Sequence, residues 1–324
     1  RIAIARRIRS HTHHPPTESD MPGSISTARF CAAFFLLFSC AVHAQSLDEM
    51  KQRAEAGDVK TQNDLGEWYA TGTHGVSVDY AQAEYWYRKA AAKNDRHAFH
   101  NVATMLMLQK RMPESLEWFN RSVERNYGPS EEKLAEFYLN GEHVGKDTDR
   151  ALALYARACE HEWASACSKL GELYLIGNHV KQDPETAIKW LRKANAMDYA
   201  WSFYFMAEAQ LRGLGTPKDG AGAVKSYRKA AEGGIAPAQR QLGLVYEQGA
   251  FGEPADPGTA FNWFLKAARQ GDAQAQNKVG YAYATGTGAE RSYERAELWW
   301  TKAAAQGDEE SQRNLEVLRE RMKR

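Results

Sequence analysis

Cysteine is scarce in this chain of 324 residues, which contains only four. Two of them, Cys31 and Cys40, lie in an apolar stretch near the N-terminus, so the rest of the chain holds only Cys159 and Cys167. A closed tetrahedral zinc site needs four ligands, and no further ligands with suitable spacing accompany this pair. The sequence therefore predicts no metal centre at the cysteines.

Long hydrophobic runs are also scarce. An apolar run over residues 30–42 covers about a dozen positions, whereas a membrane-spanning helix needs roughly 20. Arg29 precedes this run and a small-residue Val-His-Ala sequence ends it at Ala44, which is the arrangement of a secretory signal peptide. We therefore predict a signal peptide over residues 21–44 and no integral membrane segment after its cleavage.

The first 20 residues do not begin with methionine, and Met21 opens the predicted signal peptide. We predict that residues 1–20 are upstream sequence translated in error and are disordered. The signal peptide predicts a periplasmic or secreted protein. A lipid-anchored form, attached through Cys40, stays an alternative, but Phe38 is bulky for a lipoprotein signal and Ala44 offers a better cleavage site.

The chain lacks an excess of charge of either sign, since 42 Lys and Arg residues balance 41 Asp and Glu residues. Without residues 1–44 the chain becomes slightly acidic. A protein that binds nucleic acid neutralises phosphate groups with surplus basic side chains. The charge balance therefore argues against a nucleic-acid partner.

Self-similarity is the strongest feature that is present. Segments from Leu65, Leu170, Leu242 and Val279 share Gly-x-x-Tyr, a glycine-rich turn, and then Ala-x-x-Trp-x-x-x-Ala. The alanine that opens the second motif, replaced by serine in one repeat, occurs seven times: Ala83, Ser115, Ala151, Ala187, Ala223, Ala260 and Ala296. The first interval is 32 residues, and each later interval is 36 or 37 residues. Such a fixed period is typical of stacked repeats.

Each repeat has two segments of helical periodicity joined by a polar turn. Leu65, Trp68 and Tyr69 lie on one face of the first segment of the first repeat, because they are three and four positions apart. One helical hairpin cannot bury its apolar face alone, but stacked neighbours can. We therefore predict an all-α protein, a right-handed α/α solenoid of about seven helical hairpins, over residues 58–307.

Both ends of the predicted solenoid carry a capping helix. Residues 45–57 contain a capping box from Ser46 to Glu49, and residues 308–324 form a charged closing helix. Two repeats depart from the pattern. The second has lost its turn glycines and about four residues, and the fifth opens with aromatic side chains from Trp201 onward.

The repeat pattern resembles the Sel1-like repeat family, which is related to the tetratricopeptide repeats. The family's Leu-Gly-x-x-Tyr, its Gly-rich turn with Val-x-x-Asp, and its Ala-x-x-Trp-aromatic-x-Lys-Ala-Ala all occur, for example at Gly72, Val76 and Asp79 and then over residues 83–91. The resemblance covers nearly the whole chain after Ala44. It implies the fold, but a fold does not dictate its use.

Cys159 and Cys167 flank the turn between two repeats. Helix ends on either side of such a turn can bring the two Cα atoms within disulfide distance, and an oxidising compartment preserves the bond. We predict a disulfide, with two free thiols as the alternative. The Cys-x7-Cys spacing resembles a secreted cysteine-rich branch of the Sel1-like proteins, which implies penicillin binding or β-lactamase activity as a second hypothesis.

The function that we expect is non-catalytic: an exported scaffold that binds a protein or peptide of the cell envelope along its concave surface, with cell-wall glycan as a further possibility. We predict no catalytic residue, cofactor or metal. The expected contact residues are acidic and aromatic side chains on the first helices and at irregular positions: Glu67, Trp68, Trp163, Glu172, Trp201, Tyr204 and Glu247. The turn histidines His74, His143 and His179 are expected to replace a left-handed glycine.

Overall fold

The computed structural model describes residues 47–322. The predictions for residues 1–20, for the signal peptide over 21–44 and for lipid attachment at Cys40 lie outside these residues. No helix within residues 47–322 is long and apolar enough to cross a membrane.

The described chain is helical throughout and contains no strand. Its first helix, α1, is described over residues 47–55. Fifteen further helices follow: α2 (Val59–Thr71), α3 (Tyr80–Ala92), α4 (Arg96–Leu108), α5 (Met112–Val123), α6 (Gly128–Asn140), α7 (Thr148–Glu160), α8 (Ala164–Ile176), α9 (Pro184–Ala196), α10 (Ala200–Arg212), α11 (Gly220–Glu232), α12 (Ala236–Gln248), α13 (Pro257–Arg269), α14 (Ala273–Thr285), α15 (Tyr293–Ala304) and α16 (Glu309–Met322).

The helices pair into seven hairpins, from α2 with α3 to α14 with α15. Each helix packs mainly against its neighbours in the chain, both within its hairpin and across the junction to the next. We call the earlier helix of each hairpin its first helix and the later one its second helix. Helix α1 packs before the first hairpin, and α16 packs on α15 after the last. The predicted all-α solenoid of hairpins is confirmed.

Local sequence sets the helix boundaries. Most first helices end at a glycine in the left-handed conformation, for example Gly177 at φ 79°. The following second helix usually begins after an aspartate whose side chain accepts a backbone N–H of the first turn, as Asp183 does from Thr186 at 3.1 Å. The glycine stops one helix and the aspartate starts the next.

The second hairpin lacks both signals, as its sequence predicts. Only residues 109–111 connect α4 and α5, and Arg111 begins α5 without a side-chain cap. Instead, Arg111 pairs with the largely buried Glu84 of the first hairpin at 2.9 Å. An ion pair between hairpins thus holds a turn that has no glycine.

Small residues allow the two helices of a hairpin to cross closely. A Cβ atom added to Gly66 would lie 2.5 Å from the ring of Tyr87, and one added to Gly280 would lie 2.5 Å from the ring of Trp300. Such distances are too short for real contacts, so the ring of the second helix occupies the space that a side chain would need.

The turn between paired helices repeats one backbone conformation. His143 and His179 have φ values of 63° and 67°, and Gly215, 36 residues after His179, has 64°. His74 in the first turn has 56°. The three histidines therefore take the left-handed conformation that was expected of them, which is uncommon for residues other than glycine.

Candidate binding groove

Three successive first helices, α6, α8 and α10, line a cavity of about 290 Å³ that we call the central groove. Its lining residues are Glu132, Glu136, Ser165, Ser168, Lys169, Glu172, Tyr199, Trp201 and Phe205. Because the stacking of hairpins places first helices side by side, the groove lies on the face that these helices form together.

A hydrogen-bonded chain ties the three helices together at the groove. Glu132 on α6 accepts a hydrogen bond from the Ser165 hydroxyl of α8 at 2.7 Å and another from the indole N–H of Trp163. Tyr199, which precedes α10, donates its hydroxyl proton to Ser165 at 3.3 Å. These contacts order polar side chains of three separate repeats.

The other two carboxylates of the central groove are paired with lysines of their own helices. Glu136 lies 2.6 Å from Lys133, and Glu172 lies 2.9 Å from Lys169. Glu132 makes no ion pair within the described residues, and its two donors are both neutral. The groove therefore holds one carboxylate whose charge no neighbouring cation balances.

Aromatic side chains form the α10 side of the groove. Trp201 is 39% exposed, stacks on Phe205 with ring centroids 6.1 Å apart, and meets the edge of Tyr204 at 5.9 Å. Tyr204 packs inward on Tyr227 of the second helix at 6.0 Å. Phe205 also lines an adjacent cavity of about 310 Å³ between α8 and α10. The aromatic surface thus continues beyond the groove.

The structure brings four of the predicted contact residues together. Glu172 and Trp201 line the central groove, Trp163 donates to its Glu132, and Tyr204 lines the adjacent cavity. Sequence reasoning did not single out Tyr199 or Glu132 as contacts. Phe205 lies in the irregular aromatic opening of the fifth repeat, which was a usable signal, whereas Glu132 has no distinguishing motif.

The remaining predicted contact residues lie in other hairpins. Trp68 stacks on His74 with ring centroids 4.2 Å apart and packs on the cluster around Trp86, so much of its surface is already covered. Glu67 is exposed on the same first helix. Glu247 lies in the sixth hairpin and pairs with Lys278 at 2.7 Å.

A buried tyrosine lies beneath the groove. Tyr155 of α7 is 0% exposed, and its hydroxyl has no hydrogen-bond partner among the described residues. Burial raises the pKa of Tyr155, and the nearby carboxylates of Glu136, Glu132 and Glu172 raise this pKa further. The unpaired hydroxyl therefore lies close to the three acidic side chains of the groove.

Serine β-lactamases place a lysine three residues after the reactive serine. Motif inspection predicts that this spacing is absent from the chain after Ala44, which is wrong, because it occurs at Ser130 and Lys133 and at Ser226 and Lys229. Ser130 is 0% exposed and its hydroxyl donates to Ser122 at 2.7 Å. Ser226 donates to a glutamine side chain at 2.8 Å. Neither serine bonds to its lysine.

His97 and His100 share a helix face but do not form part of a ligand cluster. The ring of His97 contacts Tyr127 at 4.9 Å, and His100 lies 2.9 Å from the Ser130 hydroxyl. No group of three or more His, Cys, Asp or Glu side chains within residues 47–322 has the arrangement of a metal site.

The repeated tryptophans of the second helices serve packing and carry a cation over each ring. In every case the lysine or arginine lies three residues later, at the following centroid distances: Lys89 on Trp86 at 5.2 Å, Arg121 on Trp118 at 4.2 Å, Lys193 on Trp190 at 4.6 Å, Lys266 on Trp263 at 3.9 Å and Lys302 on Trp299 at 4.5 Å. The repeated spacing makes these pairs part of the scaffold.

Cys159 and Cys167 form a disulfide with Cα atoms 4.9 Å apart. The bond joins the end of α7 to the first turn of α8, and both side chains are buried. Trp163 lies between them at the N-cap of α8. The disulfide therefore fixes the junction that carries a residue of the groove network.

Comparison with known proteins identifies the repeat. The Sel1 repeat model matches six segments of the chain: residues 59–95, 129–162, 164–199, 204–235, 236–272 and 273–308. The chain belongs to the Sel1 repeat family. The matches leave out residues 96–128, which hold the second hairpin with its shortened connection. The family shown is the Sel1 repeat itself, and resemblance to the cysteine-rich branch is not shown.

Two solved structures share the fold over most of this chain. A Sel1 repeat protein from Oxalobacter formigenes matches with a TM-score of 0.69 and 29% identity, over 85% of this chain and 81% of that chain. The protein c5321, a protective antigen present in uropathogenic Escherichia coli strains and displaying an SLR fold, matches with a TM-score of 0.64 and 30% identity, over 86% of this chain and 60% of that chain.

A Sel1-like repeat-containing protein of Acanthamoeba polyphaga mimivirus is 31% identical over 90 residues. That match covers 28% of this chain and 17% of the viral protein. The chain thus spans 60% of the length of c5321 and 17% of the length of the viral relative. Sel1-repeat proteins are generally protein-interaction scaffolds, without enzymatic activity of their own.

Proposed function

We propose that this protein is an exported scaffold that binds a segment of another protein in its central groove. The observation that carries the proposal is the groove itself, because three first helices meet there with the exposed Trp201 and with partly exposed acidic side chains. Exposed Trp and Tyr side chains are favoured as interface anchors. Repeat solenoids offer such surfaces along the face of their stacked helices.

A peptide-binding experiment tests this proposal. Purified protein from Gln45 onward is applied to an array of random 12-residue peptides, beside a variant carrying Trp201→Ala and Phe205→Ala. We expect peptide signals that the double variant loses, with unchanged helicity by circular dichroism. Leu298→Ala serves as control, because Leu298 is 53% exposed on a second helix. The absence of any signal, or equal signals from the double variant, would contradict the proposal.

Export is part of the same proposal. The Cys159–Cys167 disulfide supports it, since such bonds persist in oxidising compartments outside the cytosol. Expression from Met21 should yield an envelope or secreted protein whose N-terminal sequence begins at Gln45. A cytosolic product that retains residues 21–44, or a fatty acid on Cys40, would contradict this part. Cell-wall glycan fragments are a further ligand class to be tested on the same protein.

A further inference from the structure

The charges of the central groove are unbalanced. Three carboxylates, those of Glu132, Glu136 and Glu172, face the ammonium groups of only Lys133 and Lys169. The surplus charge belongs to Glu132, which two neutral donors hold in place across the groove from the α10 aromatic side chains. A carboxylate that neutral groups orient and no cation neutralises favours a cationic ligand.

The fifth hairpin contains a hydrogen bond between a tyrosine and a glutamate that the third hairpin lacks. Tyr227 donates its hydroxyl proton to Glu208, the residue that follows the small residue Ala207. The equivalent pair in the third hairpin is Tyr155 with Glu136, but there Lys133 holds Glu136 and the buried Tyr155 hydroxyl has no partner. An unpaired buried donor costs free energy, so the third hairpin keeps an unsatisfied hydroxyl close to the carboxylates of the groove.

A carboxylate can accept hydrogen bonds on both oxygens. Glu136 can therefore keep Lys133 on one oxygen and still interact with a cation in the groove through the other. The groove also supplies a cover for the apolar part of a basic side chain, because Trp201 and Phe205 present their rings beside the carboxylates. Lysine and arginine stems pack on aromatic faces in this manner.

We propose that the central groove selects a protein segment that carries an arginine or lysine, whose charged group binds Glu132 beside Glu136 while its stem packs on Trp201. The inference rests on the proposed function, since it names the chemistry of the segment that the scaffold binds. Surface charges that pair across an interface determine specificity more than affinity.

The test uses the peptides that bind on the random array. Their sequences should be enriched in arginine and lysine, and replacement of those residues by glutamine should weaken binding about tenfold or more, as expected for a lost charged hydrogen bond. Affinity is measured by fluorescence anisotropy with fluorescein-labelled peptides at two salt concentrations. Binding to the unchanged protein should weaken at the higher salt concentration.

Glu132→Gln is the decisive variant, because glutamine removes the charge and keeps one acceptor oxygen, for either Ser165 or Trp163. We expect it to bind the basic peptides about tenfold more weakly and with less salt dependence. Glu160→Gln is the matched control, since Glu160 is exposed on α7, in the same hairpin, and outside the groove. The control should bind as the unchanged protein does.

The outcomes separate this inference from the proposed function. The inference would be overturned if peptides bind without basic residues, or if they bind equally to Glu132→Gln. The scaffold function would still stand if the double variant of Trp201 and Phe205 loses the binding of these peptides. If no peptide binds and a glycan fragment does, both the scaffold function and the inference fail. The melting temperatures of all variants should be unchanged, which would show that a loss of binding does not come from unfolding.

Discussion

At the scale of single residues, buried polar groups of the solenoid are placed by the stacking of repeats. His100 on α4 lies 2.9 Å from Ser130 on α6, and Ser130 donates to Ser122 on α5. The imidazole thus belongs to a buried chain that crosses two hairpins. Burial is the main reason that the pKa of His100 falls from 6.5 to about 4, and the positive charge of Lys133 lowers this pKa further.

The lowered pKa predicts how stability depends on pH. Between about pH 6.5 and pH 4 the unfolded chain protonates this histidine while the folded chain keeps it neutral, so the free energy of unfolding should fall as pH falls. The contribution of His100 should be up to about 1.4 kcal/mol per pH unit in this window. Urea unfolding of the unchanged protein and His100→Gln at several pH values measures the difference.

His97→Gln is the control for this prediction, because His97 is exposed on the same helix. It should keep most of the pH dependence that His100→Gln loses. An equal dependence in all three proteins would show that His100 does not titrate as the structure implies.

At the scale of the element, two kinds of bond occur at equivalent positions of the junctions that join a hairpin to the next hairpin or to a terminal helix. At four junctions a glutamine side chain reaches back eight residues to the backbone carbonyl of an alanine: Gln62 to Ala54 at 2.8 Å, Gln239 to Ala231 at 3.0 Å, Gln276 to Ala268 at 3.1 Å and Gln312 to Ala304 at 3.5 Å. At the α7–α8 junction Cys159 and Cys167 take these same two positions, and a covalent bond replaces the hydrogen bond.

We predict that a glutamine hydrogen bond can partly replace the disulfide at the α7–α8 junction. Reduction of the disulfide should lower the free energy of unfolding by about 2–3 kcal/mol, the chain-entropy value for so short a loop. A variant carrying Cys159→Ala and Cys167→Gln should recover about 1 kcal/mol of this through its hydrogen bond and should not respond to reductant. Chemical unfolding with and without reductant measures both effects.

The comparison protein for this experiment carries Cys159→Ser and Cys167→Ser, which removes the bond without the reaching side chain. It should be less stable than the Ala and Gln variant. Equal stability of the two variants would mean that the glutamine contact contributes nothing at this junction.

At the scale of the whole molecule, the terminal helices cover the two ends of the stack of hairpins. Leu315 and Leu318 of α16 are 7% and 4% exposed and cover the core cluster around Trp300. Val317, on the same helix, is 67% exposed. In a solenoid each repeat contacts only its neighbours, so the effect of an open end should be strongest in the nearest hairpin.

Leu315→Ala should therefore destabilise the molecule by about 2–3 kcal/mol, through lost burial and the cavity that the change leaves. Hydrogen exchange should rise most in α14 to α16 and little in the first two hairpins. Val317→Ala is the matched control and should change stability by less than about 0.5 kcal/mol. Uniform loss of protection along the chain would contradict nearest-neighbour stabilisation.

The sequence alone determined the repeat, the hairpins and their order. The small residues from Ala83 to Ala296 recur at a nearly constant interval because each hairpin must make the same packing contact. Local signals such as the glycine stops and aspartate caps act within a few residues, so they can be read without a structure. The capping helices and the shortened second turn were visible for the same reason.

Only the tertiary structure decided which side chains share a surface. Glu132, Ser165 and Tyr199 come from three different repeats, and each looks like an ordinary polar residue of its own helix. Trp68 and Trp201 were both expected to be contact residues, yet one is stacked within the first hairpin and the other faces the groove. The direction of a side chain depends on how neighbouring hairpins pack. The periodicity of the sequence therefore does not predict which surface an irregular residue faces.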